Sequence, residues 1–136
     1  MGISLNDLPP HIQKQVQQKE TLAPKIVGTA RAASPQGRTM NKWEEAYQER
    51  LKIKLRAGEI QHFSYEALKF RLAEKKCWYT PDFIVLNADN CLEVHEVKGH
   101  WEDDARVKIK VAASLFPYMI FYAITKNNGV WTYERI

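Results

Sequence analysis

Between Asn41 and Gly58 the apolar residues recur at helical spacing. Trp43, Tyr47, Leu51 and Leu55 advance along one side at roughly 100° per residue, with Ala46, Ile53 and Ala57 filling the flank. Asn41 can cap such a helix and Gly58 can end it, so the stretch predicts a helix whose stripe faces a core. On the same wheel Glu45, Glu49, Lys52 and Arg56 take the opposite, solvated face, whereas Glu44 falls between Leu51 and Leu55. An inward carboxylate requires a cation, a proton or a route to water, because an unpaired buried charge is costly. The alternative is a boundary acid that reaches outward.

Downstream the period changes. "QHFSYEALKFRLA" reads as a strand with a turn, "YTPDFIVLN" as a second strand after a proline, "ADN" as a turn and "CLEVHEVKG" as a third strand, which together predict a β-hairpin. Alternation puts Leu92, Val94, Glu96 and Lys98 on one face and Glu93, His95 and Val97 on the other. "WEDDARVKIKVAASLF" is a second helix with acids at its positive end and an apolar face of Trp101, Ala105, Ile109, Ala112 and Leu115. Lys108 falls in the middle of that face and Lys110 points away; Lys108 either reaches a phosphate or acidic partner or snorkels to water. "YMIFYAIT" and "GVWTYERI" are a buried and an edge strand joined by the Asn127-Asn128-Gly129 turn. The order helix, three strands, helix, two strands predicts an α/β fold with a mixed sheet flanked by helices.

Ahead of this unit, "LNDLPPHIQKQVQQKE" predicts a short helix opening near Pro9 or Pro10, with Ile12 and Val16 as its apolar pair. "TLAPKIVGTARAASPQGRT" has the chemistry of a flexible linker. The division is therefore residues 1–38 as a helical and basic extension, and residues 39–136 as the folded domain.

Composition adds bounds. A chain of 136 residues suits one compact domain with an appended segment. No apolar run approaches the roughly 20 residues that span a bilayer, and no secretory leader is legible, so a soluble, cytoplasmic protein is expected without a membrane partner. Cys77 and Cys91 are too few for a disulfide framework and lack metal-ligand spacing. The net charge of +4 leans mildly toward polyanionic partners, and the excess sits early: residues 1–40 hold five Lys and Arg against two acids.

Asp82 heads the second strand as Pro81-Asp82, and Glu96-Val97-Lys98 closes the third. This pattern resembles the PD-(D/E)XK nuclease superfamily, in which a Pro-Asp and a Glu-X-Lys on adjoining strands assemble a metal site. "NKWEEAYQERLKIKLRAGEI", "RLAEKKCWYTPDFIVL" and "EVHEVKGHWEDDARVKIKVAASLFP" look like a phage and prophage family, DUF1064, grouped with these nucleases, over about residues 40 to 125. The resemblance implies a restriction-endonuclease-like core and a catalytic set of Glu44, Asp82, Glu96 and Lys98, with Glu45 as the alternative register for Glu44. It also implies a phage protein acting in a bacterial host.

Asp82, Glu96, the Val97 carbonyl and Glu44 are hard oxygen donors that suit Mg²⁺ or Mn²⁺. Lys98 would orient or deprotonate the attacking water, or stabilise the phosphate. Lys108, Lys110, Arg106, His100, Trp101, Arg38 and Lys42 are the candidate DNA contacts. Trp78, Tyr79 and Trp101 either stack on bases or belong to the core. His62, His95 and His100 lack zinc spacing, and Ser64 and Ser114 lack a base partner.

The expected function is a divalent-metal-dependent DNA endonuclease. A chain this short leaves little room for a sequence-reading module, so a branched substrate such as a Holliday junction, cut by a homodimer, is the specific expectation. The alternatives are a DNA-binding or protein-interaction module on the same fold, and a nicking or single-strand nuclease.

Overall fold

The structure is a computed structural model that describes residues 4–22, 29–33 and 38–136. A single 3₁₀ turn, Leu5–Asp7, leads into α1 (Pro10–Leu22), and a three-residue strand β1 (Ala30–Ala32) follows. Then come α2 (Lys42–Arg56), β2 (Ile60–Tyr65), β3 (Leu68–Ala73), β4 (Cys77–Tyr79), β5 (Phe83–Asn87) and β6 (Leu92–Val97), and finally α3 (Asp103–Leu115), β7 (Ile120–Asn127) and β8 (Val130–Arg135).

The fold is α/β. Five strands form a mixed sheet in the order β2-β5-β6-β7-β8, antiparallel throughout except for the parallel β6–β7 pair that α3 connects. Strand alternation splits the core into two layers. Phe83, Val85, Val97 and Ile124 face Tyr47 and Leu51 of α2, whereas Ile84, Val94 and Phe121 face Ile109 and Ala112 of α3. Both layers are built from aromatic and branched side chains that are almost wholly out of water, which is the main source of stability for a domain of this size.

The caps act where the sequence places them. The Asn41 side chain accepts from the Trp43 and Glu44 amides, and the Asn41 amide donates in turn to the Glu44 carboxylate, completing a capping box. Gly58 takes φ +74° just past the helix. Asn128 and Gly129, at φ 49° and 80°, make the two-residue turn between β7 and β8, the left-handed pair that matches strand twist.

Four expectations need correction. The stripe on α2 does not face the core along its whole length: Tyr47 and Leu51 are buried, but Leu55 is 41% and Ile53 58% exposed. The apolar cluster beneath α2 ends at Leu51, so the last helical turn overhangs it. Trp101 lies ahead of α3 rather than on it. The predicted single sheet is joined by a second one of order β1-β3-β4, because "EALKFRLA" is a separate strand that leaves the central sheet and pairs with β1 and β4. Within the stretch read as linker, Ala30–Ala32 is therefore a strand of that small sheet; residues 23–28 and 34–37 lie outside the described residues.

Candidate active site

β5 and β6 form the predicted hairpin, pairing Phe83 with His95 and Leu86 with Leu92. That register brings Asp82, just ahead of β5, beside the end of β6. The Val97 amide donates to Asp82 Oδ2 at 2.7 Å. Adjacent residues of a strand point their backbone groups to opposite sides, and Lys98 gives its amide to Ile124 of β7 on the other side. The Val97 amide and carbonyl thus both face the Asp82 edge.

Glu96 is 6% exposed and Asp82 3%. Glu96 accepts from the Tyr79 hydroxyl at 2.9 Å through Oε2 and from Lys98 Nζ at 2.8 Å through Oε1. Two desolvated carboxylates side by side resist ionisation together. Burial first, and the neighbouring Glu96 second, push the Asp82 carboxyl up to about 8, against the opposing pull of Lys98 and the Val97 amide. Burial alone would lower the Lys98 ammonium, but Glu96, Asp82 and Glu44 outweigh it and hold Lys98 above its ordinary value. At neutral pH Lys98 is therefore a fixed positive charge.

Glu44 is fully buried, as its place on the wheel implies. It accepts four bonds: from Arg38 at 2.7 Å and Asn41 Nδ2 at 2.8 Å on Oε1, and from the Asn41 amide at 3.0 Å and the Tyr65 hydroxyl at 2.9 Å on Oε2. These occupy the four lone-pair directions of a carboxylate. In this arrangement Glu44 ties α2 to the segment before it and to β2, while its charge still acts on Asp82 and Lys98. Glu45 is exposed, so the inward acid is Glu44.

The site opens into a cavity of about 390 Å³ bounded by Trp78, Tyr79, Glu96, Lys98 and, from α3, Asp104 and Lys108. Lys108 is thus the one expected DNA contact that borders the cavity. The others are engaged or lie elsewhere. Arg106 makes a two-bond pair with Glu134 at 3.1 and 2.9 Å and lies over the Trp101 ring; Trp101 packs on the core. Lys110 and His100 are exposed away from the cavity, Lys42 sits over Trp43, and Arg38 pairs with Glu44 and Glu66.

Gly99 follows Lys98 under the Trp43 indole; a Cβ there would collide with the Trp43 ring. The glycine lets α2 close over the end of β6.

Sequence reasoning missed the part played by Tyr79, which it divided between core and stacking. The three residues of β4, of which only Tyr79 is buried, are too short a strand to show that direction in the sequence. It also missed Tyr65, which comes from the next strand over.

Among the described residues no group of three or more His, Cys, Asp and Glu is gathered closely enough to hold a metal ion. The smaller donor set of Asp82, Glu96 and the Val97 carbonyl still fits a hard divalent cation: it is oxygen only, and burial first and the charge of Glu96 second raise the Asp82 carboxyl, a strain that a bound cation would relieve. In comparisons with protein-family models, curated proteins and solved structures, none matched this chain.

Proposed function

We propose that this protein is a divalent-metal-dependent DNA endonuclease with a restriction-endonuclease-like core, acting on branched DNA. The observation that carries the reading is the convergence of Asp82, Glu96 and Lys98 at one end of a hairpin, two buried carboxylates and a protonated lysine beside an open cavity. Nothing in the packing of the core calls for that arrangement, since buried like charges cost stability.

Asp82, Glu96 and the Val97 carbonyl would hold Mg²⁺ or Mn²⁺, which supplies an acidified water and offsets charge on the scissile phosphate. The chain's own residues do the rest. Lys98, kept charged by Glu96, stabilises the negative charge that develops on the phosphate. Tyr79 fixes the Glu96 carboxylate by donating to Oε2, so that Oε1 alone is shared with Lys98. Lys108 supplies a second positive charge from the far wall of the cavity. The high Asp82 pKa means that cation binding releases a proton, so affinity for the cation rises with pH up to about 8.

One observation favours a second reading. With Glu44 saturated and no three-acid cluster among the described residues, the same fold serves equally as a DNA-binding module without catalysis. The test is cleavage of a labelled four-way junction, matched duplex, flap and single strand in Mg²⁺, Mn²⁺ or EDTA, with wild type beside Asp82→Ala and Lys98→Ala. Metal-dependent cutting lost in both variants is expected; binding without cutting in any metal supports the module instead. Sedimentation of the enzyme with junction DNA checks the expected homodimer.

A further inference from the structure

The small sheet β1-β3-β4 has an inner and an outer face. Ala30, Phe70 and Tyr79 stand in register across the three strands, and Phe70 and Tyr79 are buried in the core. Alternation therefore turns Arg31, Lys69, Arg71 and Trp78 outward. Arg31 stands directly opposite Lys69, and Arg71 directly opposite Trp78. The three strands contain no acid at all.

Like charges placed opposite one another on neighbouring strands destabilise a sheet. Some exposed cations of this molecule stand against acids, as Lys52 does with Glu49 at 2.7 Å and Arg106 with Glu134 at 2.9 Å. Among the described residues Arg31 and Lys69 have no such ion pair. They share the Trp78 ring instead, the Arg31 guanidinium 4.3 Å and the Lys69 ammonium 5.3 Å from its centre. An indole face attracts cations without neutralising them. The ring gathers two flexible side chains into one place, leaves their charge intact, and removes part of the ordering cost of binding an anion.

Trp78 also lines the cavity that holds Glu96 and Lys98, so the cationic face and the cavity meet at this residue. We propose that the outer face of this sheet docks the phosphate backbone of the DNA strand that leads into the cavity. Two cations whose backbones stand about 5 Å apart suit one phosphate or two in succession. The contact is one of charge rather than base reading, which suits an enzyme selecting DNA by shape. This inference rests on the nuclease reading for its substrate, but binding can be measured without cleavage.

The test is fluorescence anisotropy of a labelled four-way junction and its matched duplex in EDTA, across a salt series. Wild type, Arg31→Gln/Lys69→Gln, Trp78→Leu and Asp82→Ala are compared, with thermal melts of each. The double Gln variant is expected to bind about ten-fold more weakly near 0.1 M salt, with the slope of log affinity against log salt reduced by about 2. Its melting temperature should equal or exceed that of wild type, because a repulsion has been removed. Trp78→Leu should weaken binding while leaving the slope within about 1 of wild type, since the charges remain. An unchanged affinity and slope in the double variant overturns the proposal, as does binding to anionic lipid vesicles in place of DNA. Asp82→Ala separates the two claims: wild type that cuts in no metal, or a variant that cuts in Mg²⁺ as wild type does, removes the nuclease site as proposed, whereas the docking face stands or falls on the salt slope in EDTA.

Discussion

β6 carries a polar cluster on each of its faces, and the two differ in a way that separates structure from function. On the α2 side, His95 is sandwiched: the Tyr47 hydroxyl meets its Nδ1 at 2.6 Å, Glu93 meets its Nε2 at 2.7 Å, and Asn87 supports Glu93 at 2.8 Å. Both ring nitrogens have partners, and Glu93 is held below the usual carboxylate range despite its partial burial, by the bonds from His95 and Asn87. On the other side, one residue along, Glu96 shares its surroundings with a second carboxylate, and Asp82 is pushed far from its ordinary pKa. A buried network of paired donors and acceptors fixes a core, and one that sets two carboxylates together is retained only where something else offsets their charge. The His95 cluster is the first kind and the Asp82 cluster the second.

The largest expected effect breaks the comparison on activity. Asp82→Ala or Lys98→Ala should lower metal-dependent cleavage by about three orders of magnitude while circular dichroism stays native. Tyr47→Phe, on the opposite face, should leave cleavage within about two-fold. Equal losses on both faces would show that the clusters act as one.

Stability should separate the faces less than activity does. Tyr47→Phe leaves His95 Nδ1 buried without its partner, a loss of about 1–3 kcal/mol in denaturant unfolding. Tyr79→Phe takes the donor from Oε2 of the buried Glu96 carboxylate, so its cost in unfolding should be of the same size, about 1–3 kcal/mol. Its cost in cleavage should be about ten-fold.

The pH dependence of stability in EDTA sharpens the contrast. Asp82 binds its proton more tightly when folded, so its contribution falls as pH rises from about 4 to about 8. Burial, opposed by Glu93, keeps His95 below its ordinary 6.5, so its contribution is lost as pH falls below that value. The melting temperature should therefore decline on both sides of a maximum. Asp82→Asn should flatten the alkaline limb, by roughly 5 °C at pH 8.5, and Mg²⁺ should do the same to wild type. The acid limb should survive both.

The smallest effect concerns Glu44. As a cap and tie it tolerates Glu44→Gln with a several-fold loss of cleavage and about 1 kcal/mol of stability, read by kinetics and melts. A loss matching Asp82→Ala would move it into the proposed metal site.

Much of this arrangement was legible because period-two alternation is strict. Placing Glu96 and His95 on opposite faces needed only the hairpin between Asp82 and Lys98, and Glu44 needed only the helical wheel. The small sheet was not legible, since β1 and β4 are three residues each and pair with partners distant in sequence. Strands so short carry too little pattern, and so Tyr79 could not be aimed at Glu96 nor Arg31 at Trp78. The exposed end of α2 was misread for another reason: periodicity gives the direction of a stripe but not where the surface beneath it stops.

The parallel pairing of β6 with β7 sets the sequence in which the site can assemble. Asp82, Glu96 and Lys98 all lie on or beside a single antiparallel hairpin, so the chain segment that must close to bring them together is short and its entropic cost modest. Lys108 arrives only when α3 packs down and β7 joins β6, a non-local event that loop closure makes slower. On loop length alone the two carboxylates and Lys98 are expected to come together first and the Lys108 wall last, and an incompletely folded chain would present bare acids without the cavity wall beside them.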